Sequence, residues 1–211
     1  MKIILVLTII YGIIPLILFY VYNRKSIDLG NIYSFLLVVF VASIYELIGS
    51  VILKMSFENW YLIYKTLAFF SLHYFFYGLL KKRYGIVFLI YIVLFILLLV
   101  FSNTIWRGFS VLDVNAYFNM FQMLVVLNFS IYWFKGLFLE LVEENLFVNP
   151  NFYFISGLII YYCGTAFLFL MSSSIYAYDK SNLQFYWLIN IFLNFVLRSL
   201  LIFGIWKARV K

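Results

Sequence analysis

Residues 86–101 read IVFLIYIVLFILLLVF, a run in which one tyrosine is the only side chain that is not aliphatic or phenylalanine. A helix lying on a soluble protein shows a polar stripe, and a strand of a membrane barrel alternates apolar with polar positions. This run does neither. A bilayer core about 30 Å thick needs about 20 mostly apolar residues per helix. Outward from this run the sequence predicts six more of that kind, giving spans at 3–22, 32–53, 59–80, 86–105, 116–134, 152–171 and 183–206.

The composition agrees. Of 211 residues, 67% are hydrophobic and only 11% charged, against about 45–50% and about 25% in soluble domains. So few polar side chains cannot cover a water-facing surface, which excludes a soluble enzyme, a nucleic-acid module and a disordered tail. A lone cysteine, Cys163, excludes an internal disulfide framework. The expected fold is all-α: a polytopic seven-helix bundle forming one transmembrane domain over 1–211. The first run is too long for a signal-peptide core and ends Tyr20-Val21-Tyr22-Asn23-Arg24 without a small-residue cleavage site, so it is read as a retained helix.

Basic residues set the orientation. With seven spans, Arg24, Lys25, Lys81, Lys82, Arg83, Lys135, Lys207, Arg209 and Lys211 share one side, nine against the four of Lys2, Lys54, Arg107 and Lys180. The N-terminus is therefore expected outside and the C-terminus in the cytoplasm, in the inner membrane. Attraction to an anionic inner leaflet accounts for the net charge of +7, so nucleic acid is not an expected partner. The connections are short, and no soluble catalytic domain is expected within them.

Polar groups inside a membrane usually face protein or a wet cavity. On that ground the second, third, fifth and seventh runs should build the interior, with the fourth and the first at the periphery. The fifth run carries Asn115, Asn119 and Gln122 on one narrow stripe, read either as interhelical hydrogen bonds or as a ligand-lining face. The seventh carries Asn190, Asn194 and Arg198 at four-residue steps. Arg198 is deep enough that it must snorkel, bond backbone carbonyls or meet an anion. Glu46 is the only carboxylate well inside a span, and Lys65 enters the next helix at similar depth. Lone charges in lipid cost about 2.5–3.5 kcal/mol or more, so a Glu46–Lys65 pair is expected, as a structural latch or a functional switch. His73, the sole histidine, is expected to make a structural hydrogen bond, or to titrate in the physiological range if it meets water. With one cysteine it cannot form a metal site by spacing.

Over residues 137–146, Glu140, Glu143 and Glu144 fall on one helical face and apolar side chains on the other. That pattern predicts an interfacial helix on the inner leaflet. Its acids, with Lys81, Lys82 and Arg83, are the expected partner-docking groups. Helix entry follows at Asn149-Pro150, and Gly157 and Gly164 beyond it predict close helix approach. No phosphate loop, HExxH, GxSxG or CxxC is present, so no catalytic residues, metal or cofactor are assigned.

The run Asn149-Pro150-Asn151-Phe152-Tyr153 leading to Gly157-Leu158-Ile159-Ile160-Tyr161-Tyr162 resembles the sixth-helix entry of uncharacterised seven-helix proteins of Bacteroidetes. Glu46 and the stretch Asn59-Trp60-Tyr61-Leu62-Ile63-Tyr64 share that resemblance. Those proteins look like stand-alone versions of the membrane sensor modules of histidine kinases. The resemblance implies a non-enzymatic receptor-like module that signals to a separate kinase or other partner. A small transporter or permease subunit is the alternative reading, and a membrane-embedded enzyme the third.

Overall fold

A computed structural model describes residues 2–22, 31–53, 58–80, 84–104, 111–140, 146–178 and 183–209. The described residues are almost wholly helical and contain no strand. Seven α-helices follow in order: α1 Lys2–Tyr22, α2 Tyr33–Tyr45, α3 Glu58–Leu80, α4 Gly85–Thr104, α5 Val111–Glu140, α6 Pro150–Tyr178 and α7 Leu183–Arg209. Four of them contain stretches long and apolar enough to cross a membrane: Gly85–Ser102, Leu112–Leu139, Pro150–Tyr178 and Phe185–Arg209. Shorter apolar stretches cover Val6–Tyr22 and Tyr33–Gly49. Helix α3 is outside both groups, since Lys65, His73 and its tyrosines dilute its apolar residues.

Three elements depart from the expected bounds. The second run is not one α-helix. After Tyr45 it widens into a π-helix over Glu46–Ile52, marked by the i to i+5 bond from Leu53 N–H to the Ile48 carbonyl at 2.9 Å. Helix α6 extends to Tyr178 because no proline or glycine follows Gly164 within it, and Ser172 donates back to the Phe169 carbonyl at 2.7 Å. Helix α5 runs without a break to Glu140, so residues 137–140 belong to it and do not start a separate interfacial helix. No breaker follows Gly136, and each added residue gains a backbone bond. Residues 141–145 lie outside the described residues, and Leu146–Val148 form a single 3-10 turn.

Helices α1, α2, α3, α5, α6 and α7 close into a ring in which each packs on the next and α7 returns to α1. The closing contacts are Tyr11 stacked on Phe195 at 4.8 Å and Arg209 over the Tyr22 ring at 4.8 Å. Close approach of α6 and α7 uses the predicted small residues. A Cβ on Gly164 would stand 2.7 Å from Leu193, and one on Gly157 would stand 3.1 Å from Leu200. Helix α4 stands outside the ring, on α3 and α5, and among its described side chains buries only Phe88 and Phe95. Its peripheral place is the one expected. Helix α1, expected at the periphery, is a ring member.

The two halves of the ring differ. One end carries the C-termini of α1, α3 and α7 and is filled by buried apolar side chains, including Leu16, Phe19, Phe35, Phe75, Phe154, Leu158, Leu201 and Ile205. The other end holds a cavity.

Candidate functional site

The cavity has a volume of about 400 Å³, within the range of about 300–1,000 Å³ usual for small-molecule sites. Its wall draws on five ring helices. Thr8 and Ile9 come from α1, and Val39 and Ala42 from α2 with Glu46 at the first π-turn. Trp60, Tyr61, Tyr64 and Lys65 come from α3, Tyr161 and Phe169 from α6, and Trp187, Asn190, Ile191, Asn194, Leu197 and Arg198 from α7. Trp187 meets the Phe169 ring edge-on at 5.7 Å, and Trp60 stacks on Tyr45 at 4.0 Å. The wall is therefore largely aromatic, with three charged groups set into it.

Lys65 is 2% exposed. Its ammonium lies 5.1 Å from the Tyr61 ring centre, 5.5 Å from Phe169 and 5.8 Å from Tyr64, so three π-faces surround the charge. Its hydrogen-bond acceptor is Asn119 Oδ1 on α5. The Asn119 amide in turn donates to the Tyr61 hydroxyl at 3.0 Å and the Asn115 carbonyl at 2.9 Å. One turn further along α5, Gln122 donates to the Lys65 backbone carbonyl at 2.8 Å. The polar stripe of α5 thus does not line the cavity. It stands behind α3 and fixes Lys65 from the back.

This corrects the expected Glu46–Lys65 pair. Both residues face the same cavity, but among the described residues no ion pair joins them. Lys65 sits on the α3–α5 seam, where an amide oxygen takes its proton. Glu46 shares the cavity wall with Arg198 as well as with Lys65. The π-turn matters here, because widening the helix at Glu46 resets the direction of side chains from that point on.

Arg198 is 6% exposed and held by backbone. Its Nη1 donates to the Thr8 carbonyl of α1, and its Nη2 reaches Ser43 Oγ at 3.4 Å. Ser43 itself donates to the Val39 carbonyl at 2.8 Å. Room for the guanidinium comes from Gly12, since a Cβ there would stand 2.7 Å from its central carbon. Of the three roles open to Arg198 in the sequence, the backbone bond is the one realised. Its Nε has no hydrogen-bond partner among the described residues. Asn190 and Asn194 continue the stripe along the cavity wall, Asn194 donating to the Asn190 carbonyl at 3.1 Å.

His73 lies apart from the cavity. It packs against Phe88 at 4.8 Å, Phe69 at 5.4 Å and Phe129 at 5.8 Å, ring centre to ring centre. Neither ring nitrogen has a hydrogen-bond partner among the described residues, so the structural bond expected for it is not made. Among the described residues no three His, Cys, Asp or Glu side chains gather as metal ligands. Of the docking candidates, Lys81, Lys82, Arg83, Glu143 and Glu144 lie outside the described residues, and Glu140 is the last residue of α5.

Sequence reasoning missed the aromatic wall, above all Tyr64, Tyr161, Phe169 and Trp187. The available signal was the spacing of Tyr61 and Tyr64 around Lys65, which a helix turns to one side. Gly12 and the π-turn left no comparable signal. No family model, curated protein or solved structure matches this chain.

Proposed function

We propose that this chain spans the inner membrane seven times, N-terminus outside, and acts as a non-enzymatic receptor whose outward cavity takes a small molecule. The observation that supports this is the inequality of the two halves. A charged, aromatic-walled cavity occupies one end of the ring, while the other end is filled by apolar side chains that are nearly fully buried. A binding pocket needs one opening, whereas a transporter would have to open the filled half in a second conformation. The resemblance to stand-alone sensor modules points the same way and names a histidine kinase as the partner class. In this reading Lys65 and its seam with α5 form the transmitting element. A ligand touching Lys65 changes what Asn119 and Gln122 hold, and α5 carries the shift to its far end at Glu140. Only a ligand that binds one arrangement better than the other moves such an equilibrium.

The test combines partner and flux. The triple change Glu140→Gln, Glu143→Gln and Glu144→Gln is expected to weaken co-purification with a neighbouring histidine kinase, while insertion and folding stay intact. Unchanged co-purification removes that docking face. Solute uptake by liposomes holding the purified protein, with no kinase co-purifying from native membranes, replaces the receptor with a transporter.

A further inference from the structure

The cavity has one more cation than acid in its wall. Two cations and one acid face it, Lys65, Arg198 and Glu46. Arg198 has two hydrogen-bond acceptors, the Thr8 carbonyl and Ser43 Oγ. Lys65 has one, a neutral amide, and three rings stand about its charge. An ammonium has three protons to donate, and the described residues accept one of them. The others belong to a group 2% exposed that also forms part of the cavity wall. A buried cation in that position attracts an anion strongly, because the low-dielectric wall screens little.

We infer that the cavity takes an anionic amphiphile, its carboxylate or comparable head on the Lys65 ammonium and its apolar body against Trp60, Phe169, Trp187 and Ile191. The inference rests on the proposed ligand-binding role of the cavity and adds the class of ligand. The aromatic wall supplies apolar contact for a chain or ring. Three rings about the ammonium also limit approach to a single anionic oxygen group, a carboxylate or a phosphodiester. Glu46 turns a second anion away from the Arg198 side and fixes one head position. That anion has two sources, a soluble monocarboxylate or the head of an anionic lipid.

The experiment uses the full chain in phosphatidylcholine nanodiscs, with dodecanoate, dodecanol and dodecylammonium as probes. Binding is read by thermal unfolding and by tryptophan fluorescence. Dodecanoate is expected to raise the midpoint and change the emission, with dodecanol at least tenfold weaker and dodecylammonium without effect. Lys65→Met should lose that preference. Asn119→Asp, which gives Lys65 an internal carboxylate at the expense of the donor to the Asn115 carbonyl, should lower dodecanoate affinity at least tenfold in the protein that folds. Stabilisation by added phosphatidylglycerol that Asn119→Asp abolishes assigns the same position to a lipid head. Equal binding of dodecanoate and dodecanol, or tighter binding of dodecylammonium, overturns the anion assignment while leaving the cavity a ligand site. If none of the probes nor phosphatidylglycerol binds, the ligand-cavity reading falls with it.

Discussion

Asn119 holds the Lys65 ammonium from a helix that does not touch the cavity itself. Its amide oxygen accepts from Lys65 Nζ, and its amide nitrogen spans Tyr61 Oη and the Asn115 carbonyl. One neutral side chain therefore orients both a charge and one of the rings that flank it. That stretch of the cavity wall is set from behind, by a helix that does not line it.

Removing that amide is costly. Asn119→Leu leaves a buried ammonium without its acceptor, and hydrogen bonds to charged groups contribute about 1.5–3 kcal/mol. We expect a loss of about 2–3 kcal/mol, read by unfolding of the purified protein. Adding Lys65→Met should restore much of it, as a double-mutant cycle registers. Strictly additive losses would mean the two side chains do not share a bond.

Gly12 makes room for a guanidinium. Gly12→Ala places a methyl 2.7 Å from the central carbon of Arg198 and crowds Ser43 Oγ, so overpacking of about 1–3 kcal/mol is expected. Gly136→Ala is the control, because a Cβ there meets nothing within 4 Å. It should leave the thermal midpoint unchanged or raise it slightly, since alanine favours a helix interior over glycine. Equal loss in both variants would move the cause from packing to the backbone.

His73→Phe should stabilise. The ring sits among Phe69, Phe88 and Phe129 with neither nitrogen hydrogen-bonded among the described residues, and unsatisfied buried polar groups cost about 1–3 kcal/mol each. A gain on the order of 1 kcal/mol is expected in the same unfolding assay. A drop in stability would reveal a partner for the imidazole.

Orientation has its own measurement. A reporter active only outside the cytoplasm should be silent when fused after Lys211 and active when placed at residues 106–110. The opposite pattern would turn the cavity toward the cytoplasm and move Glu140 to the far side.

What the sequence disclosed depended on whether the information was compositional or rotational. The outer place of α4 follows from hydrophobicity alone, and the long apolar helices from run length. The partner of Lys65 did not follow, because Lys65 and Asn119 are 54 positions apart and meet only through the rotation of two helices. Glu46 was the only carboxylate well inside a span, and equal depth in adjacent helices was mistaken for contact across the bundle. Helix α1 was misplaced for another reason. What it gives the site is a main-chain oxygen at Thr8 and an absent side chain at Gly12, and neither registers as polarity.

The outer position of α4 has an electrical consequence. It lies over the α3–α5 seam, with Phe95 stacked on Phe69 at 3.9 Å and its ring 5.8 Å from Phe118 and 6.0 Å from Phe121. The most hydrocarbon-like helix of the chain thus covers one flank of the two helices that hold the Lys65–Asn119 bond. Field lines from a charge avoid a slab of low permittivity and concentrate where polarisable matter is available. Sheathed on that flank, Lys65 directs its potential inward across the cavity, and a helix that touches no ligand helps decide the sign of the one admitted.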